Sequence, residues 1–387
     1  MILRVRAGEY TKHATGIRAF VPKSLPPNPA IEMRPDLVRA LSNADQALAR
    51  LDGATYILPN PELFVYGFMR QEAVLSSQIE GTQASLDDLL AFESDVTEAP
   101  RGDVIEIVNY LDAMNWGMSE LNRLPMSLRL IRGLHQRLLA QGRGSNKTPG
   151  EFRSIQNWIG TEGTPIEQAQ FVPPTVDDMH RALADLERFM HEDAHHPTLV
   201  KNALVQAQFE TIHPFLDGNG RLGRMIITFL FCSDKVLRQP VLYLSLYFKQ
   251  NHERYYALLQ SVRDTGDWES WVLFFLEGVR ATAVSAFENA QRIIELRKKL
   301  EHHVHTRLQL KGANALAVAM FQLPYLTINQ AATTAGISYP QASKLVDLLV
   351  EAKYLRPVGQ RQRDRTFSFE PYLEILRTID LSQGAVA

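Results

Sequence analysis

The stretch His213-Pro214-Phe215-Leu216-Asp217-Gly218-Asn219-Gly220-Arg221-Leu222-Gly223-Arg224 decides how the chain is read. It joins two segments of helical pattern, one from Thr198 to Ile212 and one starting near Arg221. Gly218 and Gly220 let the backbone take positive φ and come close to a ligand. Because the loop opens a helix, unpaired N–H groups and the positive end of the helix dipole make an anion site there. Arg221 and Arg224 are three apart, on one face of the first turn, and present planar bidentate donors suited to phosphate. Asp217 offers a hard carboxylate oxygen, and magnesium on a polyphosphate is usually held by one or two such groups plus phosphate oxygens. His213 belongs to the residue type that titrates near neutral pH and can take a proton from an attacking hydroxyl. A base, a metal ligand, a phosphate cradle and two arginines in one segment fit nucleotidyl or phosphoryl transfer.

Each residue also has an ordinary reading. Asn-Gly and Asp-Gly are frequent turns, first-turn arginines are commonly solvated, and a histidine before proline can be structural. Singly the residues favour that reading. Their combination, with helical rather than alternating flanks, does not.

The segment resembles the Fic family signature, H-x-F-x-D/E-G-N-G-R-x-x-R, at every specified position. The resemblance extends over roughly Pro61 to Leu300 and implies an all-α fold, a helical Fic core with a small β-hairpin flap. It implies transfer of AMP from ATP to a Tyr, Ser or Thr hydroxyl of a target protein. His213 is then the general base and Asp217 holds Mg²⁺. The ATP-binding run is Gly218 to Arg224, with Asn219 and the amides of Gly218, Gly220 and Gly223 on the α-phosphate region and Leu222 among them. Arg221 and Arg224 take the outer phosphates, and Phe215 is a core anchor.

A second signal is Ser76-Ser77-Gln78-Ile79-Glu80-Gly81, at the end of a helix expected over about 62–81. Ser76 and Glu80 lie four apart on one face, and Gly81 suits the position after a helix end. A glutamate in a last turn opposes the helix dipole, so a cationic partner is expected. The segment resembles the inhibitory motif of the family, S/T-x-x-x-E-G/N, on the N-terminal side of the core. That implies that Glu80 pairs with Arg224 and keeps the γ-phosphate of ATP from sitting productively. Some family members use this glutamate to remove AMP from a target, and the sequence leaves that alternative open.

Around these motifs the pattern is mostly helical. Residues Gly16 to Pro35 read as a proline-rich extended arm, and a helix follows from about Pro35 with Leu37, Leu41, Ala44, Leu48 and Leu51 in step. Helices are expected at Val104–Leu121 and Met126–Gln141, and helical pattern dominates from Val176 to about Leu310. Between them, Phe152–Val172 reads as a hairpin. It resembles the family's flap (about 155–173), which aligns a target segment by strand addition. Tyr256 is the adenine-contacting candidate by the family's layout, against a core role for Tyr255-Tyr256. The pair His195-His196 is assigned no chemistry.

The chain divides into an N-terminal arm and helix (1–60), a catalytic domain (61–310) and a C-terminal domain (311–387), broken near Gly312. The last part pairs a helix from Thr327 with one from Tyr339, then a basic segment bearing Arg356, Arg361, Arg363 and Arg365. It resembles a winged helix-turn-helix, which implies DNA as a partner or a protein-docking role. A DNA-binding regulator with a secondary Fic core is therefore the alternative to an enzyme.

With 41 Lys and Arg against 43 Asp and Glu, the net charge of −2 excludes an electrostatic case for nucleic acid or membrane binding by the whole protein. The single cysteine, Cys232, lies in an apolar run and excludes disulfide frameworks and cysteine-rich zinc sites. Met1 to Tyr10 has no secretory-signal pattern, and no uninterrupted apolar run nears the roughly 20 residues of a bilayer span. A cytoplasmic protein without a membrane partner is expected, and the family resemblance adds a homodimer.

Overall fold

The computed structural model describes residues 6–12, 16–57, 62–94, 102–161, 163–358 and 365–378. It starts with an antiparallel hairpin, β1 (Gly8–Lys12) and β2 (Arg18–Pro22), with Tyr10 opposite Phe20. The sequence reading of an extended arm from Gly16 to Pro35 is corrected here. Arg18-Ala19-Phe20-Val21 makes a strand whose Ala19 and Phe20 are buried, and the prolines fall at its end and beyond it.

Helices follow in order: α1 (Pro35–Ile57), α2 (Glu62–Ile79), α3 (Leu86–Glu93), α4 (Gly102–Glu120), α5 (Leu128–Leu138), α6 (Val176–Glu192), α7 (Thr198–Ile212), α8 (Asn219–Ser233), α9 (Ser245–Gln250), α10 (His252–Thr265) and α11 (Trp268–His303). Helix α3 went unread in the sequence. Its start is fixed by a capping box in which Ser85 Oγ accepts from the Asp88 N–H at 3.1 Å and the Asp88 carboxylate accepts from the Ser85 N–H at 2.9 Å. Helices α7 and α8 form the centre. Every residue from Leu199 to Ile212 is buried, as expected of a helix with no solvent face. The long pair α1 and α11 packs along one side, and α2, α4 and α5 close the other.

Two segments reach across this core. Arg6 makes a bidentate ion pair with Glu269 at the start of α11, at 2.8 and 3.0 Å, and straps the N-terminal hairpin down. The segment read as a flap hairpin closes as a single antiparallel bridge, Ile159 to Phe171, rather than as a ladder. The Ile159 N–H donates to Phe171 O at 2.8 Å, and a short 3₁₀ turn, Ile166–Gln168, occupies its tip. Strand β2 lies beside it, with the Phe20 N–H donating to Val172 O at 2.9 Å.

Beyond α11 a π-helical turn (Val304–Leu308) ends at Gln309 in the left-handed region, and Gly312 at φ 81° starts the next unit. That unit comprises α12 (Ala313–Ala319), β3 (Tyr325–Thr327), α13 (Ile328–Ala335), α14 (Tyr339–Glu351), β4 (Arg356–Val358), β5 (Thr366–Ser368) and α15 (Glu370–Arg377). Its three strands form an antiparallel sheet in the order β3-β5-β4. Arg361 and Arg363 of the expected basic wing lie outside the described residues.

Among the described residues, one segment, Trp268–Leu308, is long and apolar enough by length and composition to cross a bilayer, at a mean hydropathy of 1.2. This departs from the sequence reading, because the apolar residues are spread over a window rather than run together. Of that window, 61% is buried inside the fold against its neighbouring helices.

Candidate active site

Helix α7 ends at His213, which sits in the left-handed region at φ 48° and turns the chain into the loop. Gly218 at φ 75° then starts α8. Regular bonding in α8 begins with the Leu222 N–H donating to Gly218 O at 3.0 Å, so the amides of Asn219, Gly220 and Arg221 have no intrahelical acceptor. No side chain caps this end.

The loop is held from several directions. Asn219 folds its amide back on Phe215, accepting from the Phe215 N–H at 2.9 Å and donating to Phe215 O at 2.8 Å. Both ends of that side chain are thus spent on loop geometry. Phe215 is fully buried and stacks on His135 with ring centroids 3.7 Å apart. The buried Arg153 donates to His213 O at 3.1 Å, and Asn157 donates to Phe215 O at 2.9 Å. His135 accepts the Gly150 N–H on Nδ1 at 2.8 Å, so its Nε2 carries the proton and donates to Asp217 O at 3.0 Å. Burial pushes His135 down to about 4, which keeps it neutral in this role.

His213 is partly buried, and its Nδ1 is buried without a hydrogen-bond partner. Burial first, then the guanidinium groups of Arg263 and Arg153, push it down to about 3. It is therefore in the proton-accepting form at neutral pH.

The two signature arginines are buried and differ in state. Arg224 donates from Nε to Ser76 Oγ at 2.9 Å, and from Nη2 to Ser76 O at 2.9 Å and Glu80 Oε1 at 2.8 Å. Burial alone would raise Glu80, but Arg224, with Arg221 and Arg143, more than offsets it and holds the carboxyl below its ordinary value. Gly220 makes room for this contact, since a Cβ there would stand 2.2 Å from Glu80 Oε1. Arg143 donates to the Glu80 carbonyl at 3.2 Å and so supplies the cation that the end of α2 calls for. Arg221, in contrast, donates only from Nη1, to Glu106 Oε2 at 2.9 Å, and its Nε and Nη2 are buried without an acceptor.

Asp217 accepts the Gly218 N–H on Oδ1 at 2.6 Å, and its other oxygen lies against Gly144, where a Cβ would come within 2.7 Å. Among the described residues no cluster of three or more His, Cys, Asp or Glu side chains could hold a metal. A lone, partly exposed carboxylate does not cage an ion, but it fits Mg²⁺ that arrives on a polyphosphate.

The other sequence candidates separate clearly. Tyr256 is 42% exposed and its hydroxyl lies in the field of Glu80 and Arg224, whereas Tyr255 is buried and accepts from Gln206 at 3.0 Å. Leu222 is fully buried, and a Cβ on Gly223 would meet the Glu210 carboxylate at 2.5 Å, so both serve packing through their side-chain positions. Cys232 is partly buried and its thiol is pushed up to about 12, which leaves it inert. Of the His195-His196 pair, His196 Nδ1 lies 3.0 Å from Asp193 Oδ1, in the segment that follows α6. His135, Arg153 and Glu106 escaped the sequence reading. They come from distant segments, and no local pattern marks them.

Comparison with known proteins agrees with this geometry. Residues 38–119 match the Fic/DOC family N-terminal domain, and residues 125–231 match the Fic/DOC family domain. Protein adenylyltransferase Fic of Drosophila virilis is 26% identical over 261 residues, covering 65% of this chain and 47% of that protein. The same protein of Drosophila ananassae is 28% identical over 189 residues, covering 47% and 34%. The chain thus spans less than half the length of these curated relatives. The crystal structure of a Fic family protein from Desulfovibrio desulfuricans G20 superposes with a TM-score of 0.55 at 18% identity, covering 88% of this chain and 97% of the other. A Fic domain containing signaling protein from Bacteroides thetaiotaomicron gives a TM-score of 0.53 at 17% identity, covering 65% and 97%. With the complete signature at the start of α8, both family domains matched and the fold shared, the chain belongs to the Fic family.

Proposed function

We propose that this chain transfers AMP from ATP to a hydroxyl side chain of a target protein, and that Glu80 restrains the reaction. The observation that carries this reading is the unequal state of the two arginines. Arg221 keeps Nε and Nη2 buried without an acceptor beside three amides with no intrahelical acceptor, while Arg224 has Nε and Nη2 taken up by Ser76 and Glu80 and only Nη1 left without an acceptor. That is a polyphosphate site with one of its two cations occupied by a carboxylate.

In the reaction, neutral His213 takes the proton from the target hydroxyl as its oxygen attacks the α-phosphorus. The bond from the α-phosphorus to the bridging oxygen breaks and pyrophosphate leaves. The free amides at the start of α8 stabilise charge on the α-phosphate, and Arg221 and Arg224 hold the charge of the departing pyrophosphate. Asp217 would hold Mg²⁺, which neutralises phosphate charge when bound. Tyr256, exposed and in the field of Glu80 and Arg224, is the residue assigned to the base of the nucleotide. The bridge-closed flap offers backbone groups to an extended target segment.

The sheet order β3-β5-β4 and the α13–α14 pair support a winged-helix reading of the C-terminal unit. Docking rather than DNA binding suits it better, because Lys344 on α14 shares its open face with Asp347 and Glu351.

The test uses ATP labelled on the α-phosphate with wild type, Glu80→Gly and Glu80→Gly/His213→Ala, each with Mg²⁺ and a cell lysate as target. Label on protein should rise at least tenfold in Glu80→Gly and vanish with His213→Ala. Equal labelling of wild type and Glu80→Gly would remove the inhibitory role. Labelling that survives His213→Ala would remove the base.

A further inference from the structure

Glu106 lies on α4, far in sequence from the signature, yet it reaches into the phosphate site. It is buried, and one oxygen, Oε2, serves three donors: Arg221 Nη1 at 2.9 Å, Thr82 Oγ1 at 3.2 Å and Arg143 Nη2 at 3.5 Å. Arg221 is itself almost completely buried. Buried ion pairs are often no better for stability than apolar packing, so stability alone is a weak account of this one.

The geometry supplies a stronger account. Arg221 is gripped by a single nitrogen, and its Nε and Nη2 remain buried and unpaired. A guanidinium held in this way presents one edge to an anion without having to break a contact first. The nearest alternative partner is Asp217, whose Oδ1 stands 4.0 Å from Arg221 Nη2. Without Glu106, and with Glu80 replaced, the guanidinium is left with Asp217 to turn to, and that movement would close the phosphate edge and cover the carboxylate assigned to Mg²⁺. Glu106 therefore does the opposite of Glu80. Glu80, together with Ser76, takes up the Nε–Nη2 edge of Arg224, whereas Glu106 grips Arg221 at Nη1 and leaves its Nε–Nη2 edge open.

We propose that Glu106 is the positioning residue for Arg221, holding it ready for the outer phosphates of ATP independently of the inhibitory contact made by Glu80. The inference rests on the reading of this site as an ATP site.

The test works in the Glu80→Gly background, so that inhibition does not intervene. Binding of ATP and of AMP, each with Mg²⁺, is measured by titration calorimetry for Glu80→Gly and for its double variants with Glu106→Ala and Glu106→Gln. Melting temperatures are recorded alongside. Glu106→Ala should weaken ATP about tenfold and leave AMP, which lacks the outer phosphates, unchanged. Glu106→Gln keeps an acceptor for Nη1 and should recover most of the loss. A parallel loss of ATP and AMP affinity would mean that Glu106 merely supports the fold and would overturn the proposal. So would unchanged ATP affinity, or a Gln variant as weak as Ala. If the nucleotides bind as described but Glu80→Gly transfers no label to protein, AMP transfer is wrong and the role of Glu106 stands. If neither nucleotide binds Glu80→Gly, both fail.

Discussion

His213 carries the sharpest prediction at the scale of single residues. Burial and the nearby Arg263 and Arg153 push it down to about 3, so the proton-accepting form persists well below the ordinary histidine range. The pH dependence of kcat/KM, which reports the free enzyme, should show no acid limb near the ordinary histidine value of about 6.5 in Glu80→Gly. A limb near that value would mean that His213 is solvated and charged when free. The stability contribution has a definite sign as well. The unfolded chain binds more protons than the native one between about 6.5 and about 3, so the stability contributed by neutral His213 is complete above that window and falls as pH drops through it. The reading of 213–224 was possible because the residues that do the chemistry are contiguous and their spacing places them at one helix start. Glu106 and His135 were not legible for the converse reason. A glutamate on α4 and a histidine on α5 look like any polar residue of an amphipathic helix until the fold brings them to Arg221 and Asp217.

Among the elements, α2 has the most divided duties. Within ten residues α2 and the residue that follows it give Gln71 to α15, Glu72 to Ser245 at the start of α9, and Ser76 with Glu80 to Arg224. Glu72 is buried, and the desolvation that outweighs its hydrogen bonds from Ser245 pushes it up to about 7. Its native value lies above that of the unfolded chain, so wild type loses stability from this group as pH rises from about 4.5 through about 7. Glu72→Gln keeps the acceptor and cannot ionise. Its melting temperature should gain on wild type by a few °C, to order of magnitude, between about pH 4.5 and 7, and a constant difference across that window would contradict the assignment. The strap of β1 onto α11 gives a second expectation. Arg6→Ala leaves Glu269 without its bidentate partner and should cost on the order of 3 kcal/mol in denaturant unfolding, whereas a loss under about 1 kcal/mol would show the pair to be solvated. The sequence showed where α2 ends, because Gly81 follows Glu80, and the structure ends the helix at Ile79 with Gly81 at φ 95°. It did not show β1 and β2, since the prolines around Pro22 outweigh a short strand pattern.

For the whole molecule, the C-terminal unit is seated on α2 and α3, the helices on either side of Glu80. The Gln71 side chain donates to Leu376 O, Arg377 pairs with Asp87 at 2.8 Å, and the Tyr325 hydroxyl donates to Asp87 at 2.9 Å. Gly67 permits this approach, because a Cβ there would lie 2.9 Å from the Tyr372 hydroxyl oxygen and 3.1 Å from Leu376. Gly67→Val should therefore speed hydrogen exchange in α15 while leaving α7 protected. Unchanged exchange in α15 would mean that the contact bears no strain. Composition led to the expectation of a boundary near Gly312, but it gave no sign of this seating, which depends on residues roughly 300 positions apart meeting across the fold. The central claim is that Glu80, by occupying Arg224, restrains the transfer of AMP. Intact-mass spectrometry of wild type and Glu80→Gly after incubation with Mg²⁺ and ATP tests it most directly. The expected result is addition of the mass of AMP to Glu80→Gly and little or none to wild type. Addition of a phosphate mass instead, or equal AMP addition to both proteins, would contradict it.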